Sequence, residues 1–232
     1  MKEFGKKHPI LMSVLVFFAG LFLALILSLP FIVTGTSSEL GLAVSRIGAG
    51  IILFFVFRYC FQGLKAFTSF PYALPAFLFG VWNLVYNPMI GNPFAALGIE
   101  TVILALAPAV FEEVIFRGIS IWFLKEKGYS IQSVMLISAA VFGAVHLTNI
   151  AGMTVLNVLV QTGYAFVVGL VLASLVLTKK DFGMAMLVHF FTDFTSHLFV
   201  PQTNAAPVTV LILFVVLLAA EAAFAFWLIR KK

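Results

Sequence analysis

Charge and cysteine are what this sequence has least of. Of its 232 residues, 10% are charged and one, Cys60, is a cysteine. A single cysteine excludes an intramolecular disulfide and any Cys-rich metal site. Cys60 itself reads as a small buried hydrophobe. The His-Glu-x-x-His pattern of soluble zinc proteases is absent, as is the Gly-x-Ser-x-Gly of serine hydrolases. The chain contains no low-complexity tract, no long linker and no internal repeat.

What the sequence has in plenty is apolar. It is 62% hydrophobic, with a mean hydropathy of +1.14. Soluble domains are about 45–50% apolar and about 25% charged. The chain therefore reads as a polytopic membrane protein, one membrane domain over residues 1–232. Its net charge of +5 does not point to nucleic acid. The basic residues stand singly or in small groups at the ends of apolar runs, where they set topology. The first run follows Lys2, Lys6 and Lys7 but outlasts the roughly 7–15 apolar residues of a cleaved signal. It reads as an uncleaved first helix.

Eight apolar runs are visible, at about 10–30, 39–60, 70–87, 94–124, 130–147, 153–178, 182–200 and 207–229. Most reach the ~17–25 residues that a spanning helix needs. Turn-forming residues separate them: 34–38, Asn87-Pro88, Gly91-Asn92-Pro93, Thr148-Asn149 and 201–207. Lys and Arg fall at the N-terminus, in every second connector and at the C-terminus. The connectors 31–39, 87–93, 148–152 and 201–206 have none. The positive-inside rule then predicts an all-α transmembrane bundle of about eight spans with both termini cytoplasmic. Residues 61–70 suit the membrane interface, and Gly118 suggests a break that leaves 119–127 as an interfacial piece.

Several ionisable residues remain inside the runs, where charge is costly and points to function. Glu113 and Arg117, at i,i+4, are placed for an ion pair. Glu112 is rotated by about 100° and needs another partner. His146 ends the fifth run. His189 and Asp193 share a face of the seventh at i,i+4, so the carboxylate can fix the imidazole tautomer. His197 extends that stripe and reads as structural. Arg46 reads as snorkelling or as paired with an acid, and Glu100 and Glu221 as partners of Arg46 or of neutral polar groups. The Glu/His/His set permits two chemistries. In one, His146, His189 and Glu112 hold Zn²⁺ and activate its water. In the other, no metal is needed: Glu112 and His146 activate water, and His189 with Asp193 stabilises the oxyanion. Both end in hydrolysis of a carbonyl, most simply a peptide bond.

Glu112-Glu113-x-x-x-Arg117-Gly118, then Phe142-x-x-x-His146, then His189-x-x-x-Asp193 resemble the three motifs of the CPBP family. This family comprises the CAAX proteases and bacteriocin-processing enzymes (also called Abi) and is similar to type II CAAX prenyl endopeptidases. The likeness covers about 94–200, with 1–93 and 201–232 as flanking spans. It implies a multi-pass intramembrane endopeptidase, in a bacterial cytoplasmic membrane, with lipid around it and a peptide or membrane protein as substrate. Its site would lie in a cavity open toward the cytoplasm. Glu112 would activate water, Glu113 and Arg117 would shape the site, and His146 and His189 would complete it. The family has been described both as metalloproteases and as metal-independent glutamate-type proteases. Prenyl proteases usually carry Asn where this chain has Asp193. An ionised Asp only accepts hydrogen bonds, which favours orienting His189 over holding an oxyanion. Two other readings keep the same residues: a scaffold or bacteriocin-immunity protein of this fold, and a proton-coupled transporter.

Overall fold

A computed structural model describes residues 1–35, 38–95, 97–200 and 207–231. Parts of the turn segments 34–38 and 201–207 therefore lie outside the described residues. The helices are α1 (Lys2–Lys7), α2 (Pro9–Val33), α3 (Ser38–Val56), α4 (Phe70–Ala73), α5 (Leu78–Met89) and α6 (Ile99–Glu113), followed by α7 (Ile121–Glu126), α8 (Ile131–Val145), α9 (Val155–Lys179), α10 (Phe182–His197) and α11 (Val208–Arg230). Among the described residues there is no β-strand, only the isolated bridges Lys65–Asp181 and Phe94–Phe199. The protein is an all-α, polytopic membrane bundle.

Each apolar run yields helix, but not each yields a long one. Five helical segments are long and apolar enough to cross a bilayer: Pro9–Val33, Glu39–Val56, Ile131–Ala151, Val155–Lys179 and Val208–Arg230. The third run is cut short because Pro71 and Pro75 have no amide hydrogen and sit in the first turns of short helical pieces, leaving α5 with 12 residues. The fourth run does not break at Gly118. Between α6 and α7 it winds as a seven-residue π-helix, Val114–Ser120, and continues. Gly118 serves packing instead: a β-carbon there would collide with the Phe61 ring.

The connectors sort by charge at the two ends. At one end Lys6 pairs with Glu126 at 2.8 Å, Lys2 lies over the rings of Tyr59 and Trp122, and the Lys65 amide donates to the Lys180 carbonyl. At the other, the Asn92 side chain donates to Asn87, the Ala95 amide to Leu198 O, and the Val200 amide to Pro93 O. The first end carries the basic residues and the second is charge-poor. Two apolar clusters fill the interior, one around α8, α9 and α10, the other where α2 and α3 meet the π-helix. α8 and α9 approach closely enough that a β-carbon on Gly143 would meet the Thr162 carbonyl at 3.0 Å. Small residues at such contacts let helices pack without a hydrophobic drive from water.

Asp181 ties the basic end together. It caps α10 by accepting from the Met184 amide at 3.0 Å, and its carboxylate also accepts from the amides of Phe67 (2.9 Å), Thr68 (2.6 Å) and Ser69 (2.7 Å). Those amides belong to the 61–70 segment, which lies at the basic end as expected for the interface. Burial alone would push this carboxyl up, but the hydrogen bonds from Met184, Thr68 and Ser69 outweigh it and hold it below the usual aspartate range. Their stabilisation is complete above the ordinary value of about 4 and is lost as pH falls through the lowered native one. Asp181→Ala is expected to cost roughly 2–4 kcal/mol in thermal unfolding in detergent, and the difference from wild type should shrink in acid.

Candidate active site

The helix that carries the two glutamates is irregular around them. Pro108, one turn before Glu112, has no amide to donate to the Leu104 carbonyl. The π-helix begins directly after Glu113. Such π segments often mark functional sites, and irregular backbone at membrane depth is tolerated only where protein or a cavity satisfies it. Consecutive glutamates then face different surroundings. Glu113 is fully buried in the wall, while Glu112 lines a cavity of about 390 Å³.

From Glu113 a chain of contacts runs both ways. Its Oε1 lies 3.1 Å from Arg117 Nη1, and both side chains are fully buried. The same oxygen accepts a 2.8 Å hydrogen bond from His189 Nδ1 on α10. The Arg117 guanidinium stacks over Phe142 of α8, 4.0 Å from its ring centroid. Phe142 in turn presents its ring to both His146 and His189, with centroids 5.1 and 5.8 Å away and near-perpendicular planes. With Nδ1 bonded to Glu113, His189 turns Nε2 to the cavity, 3.4 Å from Asp193 Oδ2 and 3.8 Å from Glu112 Oε2. Both contacts are longer than an ordinary hydrogen bond.

His146 heads a 3₁₀ turn, His146–Ala151, at the end of α8. Its Nδ1 donates to the Phe142 carbonyl at 2.9 Å, which leaves Nε2 for the cavity it lines. Glu112, His146, His189 and Asp193 thus share one cavity, although linear counting along ideal helices spread their depths. The π-helix, the Pro108 irregularity and the 3₁₀ turn absorb that spread.

Other expectations change. Arg46 pairs with no carboxylate among the described residues, and neither Glu100 nor Glu221 is its partner. Arg46 lines the same cavity as Glu112. Glu221 is buried on α11, and among the described residues neither of its oxygens has a hydrogen-bond partner. His197 bonds through Nδ1 to the Asp193 carbonyl at 2.9 Å and lines the cavity's exposed rim. Asn83 was not singled out by motif. It donates to the Thr192 carbonyl at 2.9 Å and fixes α5 to α10 beside the cavity. The exposed lining residues Thr148, Ser196 and His197 all lie at the charge-poor end. The cavity therefore opens toward the charge-poor end.

The zinc alternative needs Glu112, His146 and His189 to converge on one ion. They line one cavity, but among the described residues no three His, Cys, Asp or Glu side chains are grouped to hold a metal. His189 Nε2 already faces two carboxylates.

The Arg117–Glu113 pair and Glu112 should separate in a stability measurement. Arg117→Ala strands a buried carboxylate and is expected to cost about 3–5 kcal/mol. Glu112→Ala removes a charge from a cavity wall and should leave the unfolding temperature of purified protein within a few degrees of wild type.

Residues 94–195 match the family model described as Type II CAAX prenyl endopeptidase Rce1-like. No curated protein and no solved structure matches the chain. The matched region runs from the approach to α6 to the last turn of α10, and it contains all three motifs and every side chain of the Arg117–Glu113–His189 chain. Over residues 94–195 the chain is similar to the CAAX-protease-like (CPBP) family.

Proposed function

We propose that the protein is an intramembrane endopeptidase in which Glu112 acts as general base toward a water in the cavity. The observation that carries this reading is the division of labour between adjacent carboxylates. Glu113 is bound on two sides by Arg117 and His189, whereas Glu112 faces the cavity with His146, His189 and Asp193 around it. A base must reach the proton it removes, and the contact of Glu112 to His189, at 3.8 Å, is looser than the two that hold Glu113.

The chemistry then runs as follows. Glu112 takes a proton from water as its oxygen attacks the scissile carbonyl carbon. The carbonyl oxygen gains the negative charge and the Nε2–H of His189 donates to it, while His146, whose Nδ1–H is held by the Phe142 carbonyl, accepts from the water through Nε2. The proton on Glu112 passes to the peptide nitrogen, the C–N bond breaks, and the amine leaves. Glu113 keeps its bond to His189 Nδ1 throughout, so His189 always offers Nε2 to the cavity. Asp193 offsets the imidazolium charge. Arg46, a cation on the same cavity with no ion-pair partner among the described residues, holds the substrate by electrostatic attraction. This route uses no metal.

The protein is a multi-pass membrane protein, and we place it in a bacterial cytoplasmic membrane with both termini inside. By the positive-inside rule, the charge-poor end is then extracytoplasmic. A peptide or membrane-protein segment reaches Glu112 past Thr148, Ser196 and His197.

Four outcomes are expected. In cells, new peptide ends released from membrane proteins should accumulate with wild type and not with Glu112→Gln; equal cleavage by the variant contradicts the role of Glu112. Once a cleaved peptide is in hand, Glu112→Gln should lower turnover about 10²–10⁴-fold. Cleavage should survive chelation of protein whose metal content has been measured, while a loss that zinc restores would favour the metal route. His197→Cys should react with a membrane-impermeant maleimide in intact cells, against a low background from buried Cys60.

A further inference from the structure

Beyond His146 the wall of the large cavity carries two carboxamides. Asn149 sits in the 3₁₀ turn His146–Ala151 and Gln161 on α9, and both line the cavity that holds Glu112. They are bonded to each other: Asn149 Nδ2 donates to Gln161 Oε1 at 2.9 Å. That bond leaves Asn149 Oδ1 without a donor and Gln161 Nε2 without an acceptor. Among the described residues neither atom has a hydrogen-bond partner, and neither is sealed in protein. Turning both amides over exchanges the roles and still leaves one oxygen and one NH₂ group free.

Both residues are held where they stand. The Thr148 hydroxyl donates to the Val145 carbonyl at 2.7 Å, and the Gly152 amide donates to the Asn149 carbonyl at 3.0 Å, which fixes the turn. Gln161 precedes Thr162, whose carbonyl lies against Gly143 where α8 and α9 pack tightly. The free donor and acceptor are therefore presented by ordered backbone.

Their place relative to the chemistry follows from the 3₁₀ geometry. Side chains three residues apart eclipse, so Asn149 stands one turn beyond His146 on the same face, about 6 Å further along at ~2.0 Å per residue. The direction is toward the charge-poor mouth. An extended chain rises about 3.3 Å per residue, so this offset spans close to two residues of a strand. In a strand the N–H and C=O of one residue also point to the same side. A free carboxamide oxygen and a free NH₂ group match that couple. In a helix both groups are bonded internally and cannot meet it.

Given the peptidase reading of the cavity, on which this rests, we infer that the Asn149–Gln161 pair is a backbone-binding subsite. It takes the N–H and C=O of one substrate residue about two residues from the scissile bond, on the side nearer the mouth. The substrate must be extended there, so a helical segment has to unwind before it is cut. The pair positions the chain, and Glu112 and His189 act on the bond.

The test uses the full chain in detergent and a synthetic peptide spanning a cut that wild type makes and Glu112→Gln does not. Each backbone amide near the cut, the scissile one excepted, is replaced in turn by an ester, which deletes one N–H. For one ester, about two residues from the cut, wild type should lose roughly 3–10-fold in kcat/KM, mostly through KM. Asn149→Leu/Gln161→Leu should show a similar loss with the unmodified peptide, and the ester should cost it nothing more. Such non-additivity marks a direct contact. A pair that only pinned the turn to α9 would leave the variant as sensitive to the ester as wild type. That result, or the absence of one sensitive position, overturns the subsite. If the double variant does not fold, Asn149→Cys in the Glu112→Gln background is mixed with the peptide carrying cysteine at successive positions. Disulfide formation should peak about two residues from the cut, with buried Cys60 not competing; an even spread overturns the subsite. Failure here leaves Glu112-dependent cleavage standing, whereas cleavage that Glu112→Gln does not stop overturns the general-base reading itself.

Discussion

The structure depends on one buried ion pair. Arg117 and Glu113 are both removed from solvent, and neither would be tolerated alone at membrane depth. Their contact offsets part of the cost of burying both charges. It also has a direction. Glu113, held by Arg117 on one side, has an oxygen left to accept from His189 Nδ1. That bond dictates which nitrogen of His189 meets the cavity. The aromatic face of Phe142 closes the arrangement by lying against the guanidinium and both imidazoles. Three helices are thereby brought into register by polar contacts in surroundings where apolar packing alone has little directional preference.

The pair also separates two openings of opposite character. The larger cavity holds Glu112, both motif histidines and Asp193, and opens at the charge-poor end. The smaller one is lined by cations and lies at the basic end. Arg117 reaches the second cavity, and through Glu113 and His189 it reaches the first. The irregular backbone of Val114–Ser120 belongs to the same wall, and its burial is what makes a π-helix admissible there.

Much of this was legible in the sequence because charge is so scarce. In a chain this apolar, Glu112, Glu113, Arg117, His189 and Asp193 stand out without any structural information, and their i,i+4 spacings are met at 3.1 and 3.4 Å. The all-α class followed from run length, and the sorting of basic connectors to one end followed from their alternation. What was not legible depends on long-range geometry. The bond from Glu113 to His189 joins residues 76 positions apart, and it replaces Asp193 as the main orienting contact of that imidazole. Gly118 suggested a helix break because glycine is usually a local signal; here the reason is the Phe61 ring from a distant segment. Arg46 suggested a pair with Glu100 or Glu221 because acids inside spans invite one, yet its side chain lines the cavity with no such pair. The direction in which the cavity opens depends on which ends of α8 and α10 are exposed, and no local pattern encodes that.

The central claim is that Glu113, pinned by Arg117, holds His189 with its Nδ1 proton inward and its Nε2 toward Glu112. Nitrogen NMR of the detergent-solubilised protein with labelled histidine, assigned through a His189→Gln variant, tests it directly. The account predicts a His189 Nδ1 that stays protonated and strongly hydrogen-bonded near neutral pH, with a signature lost in Glu113→Gln. A neutral His189 with its proton on Nε2 and a bare Nδ1 would contradict it.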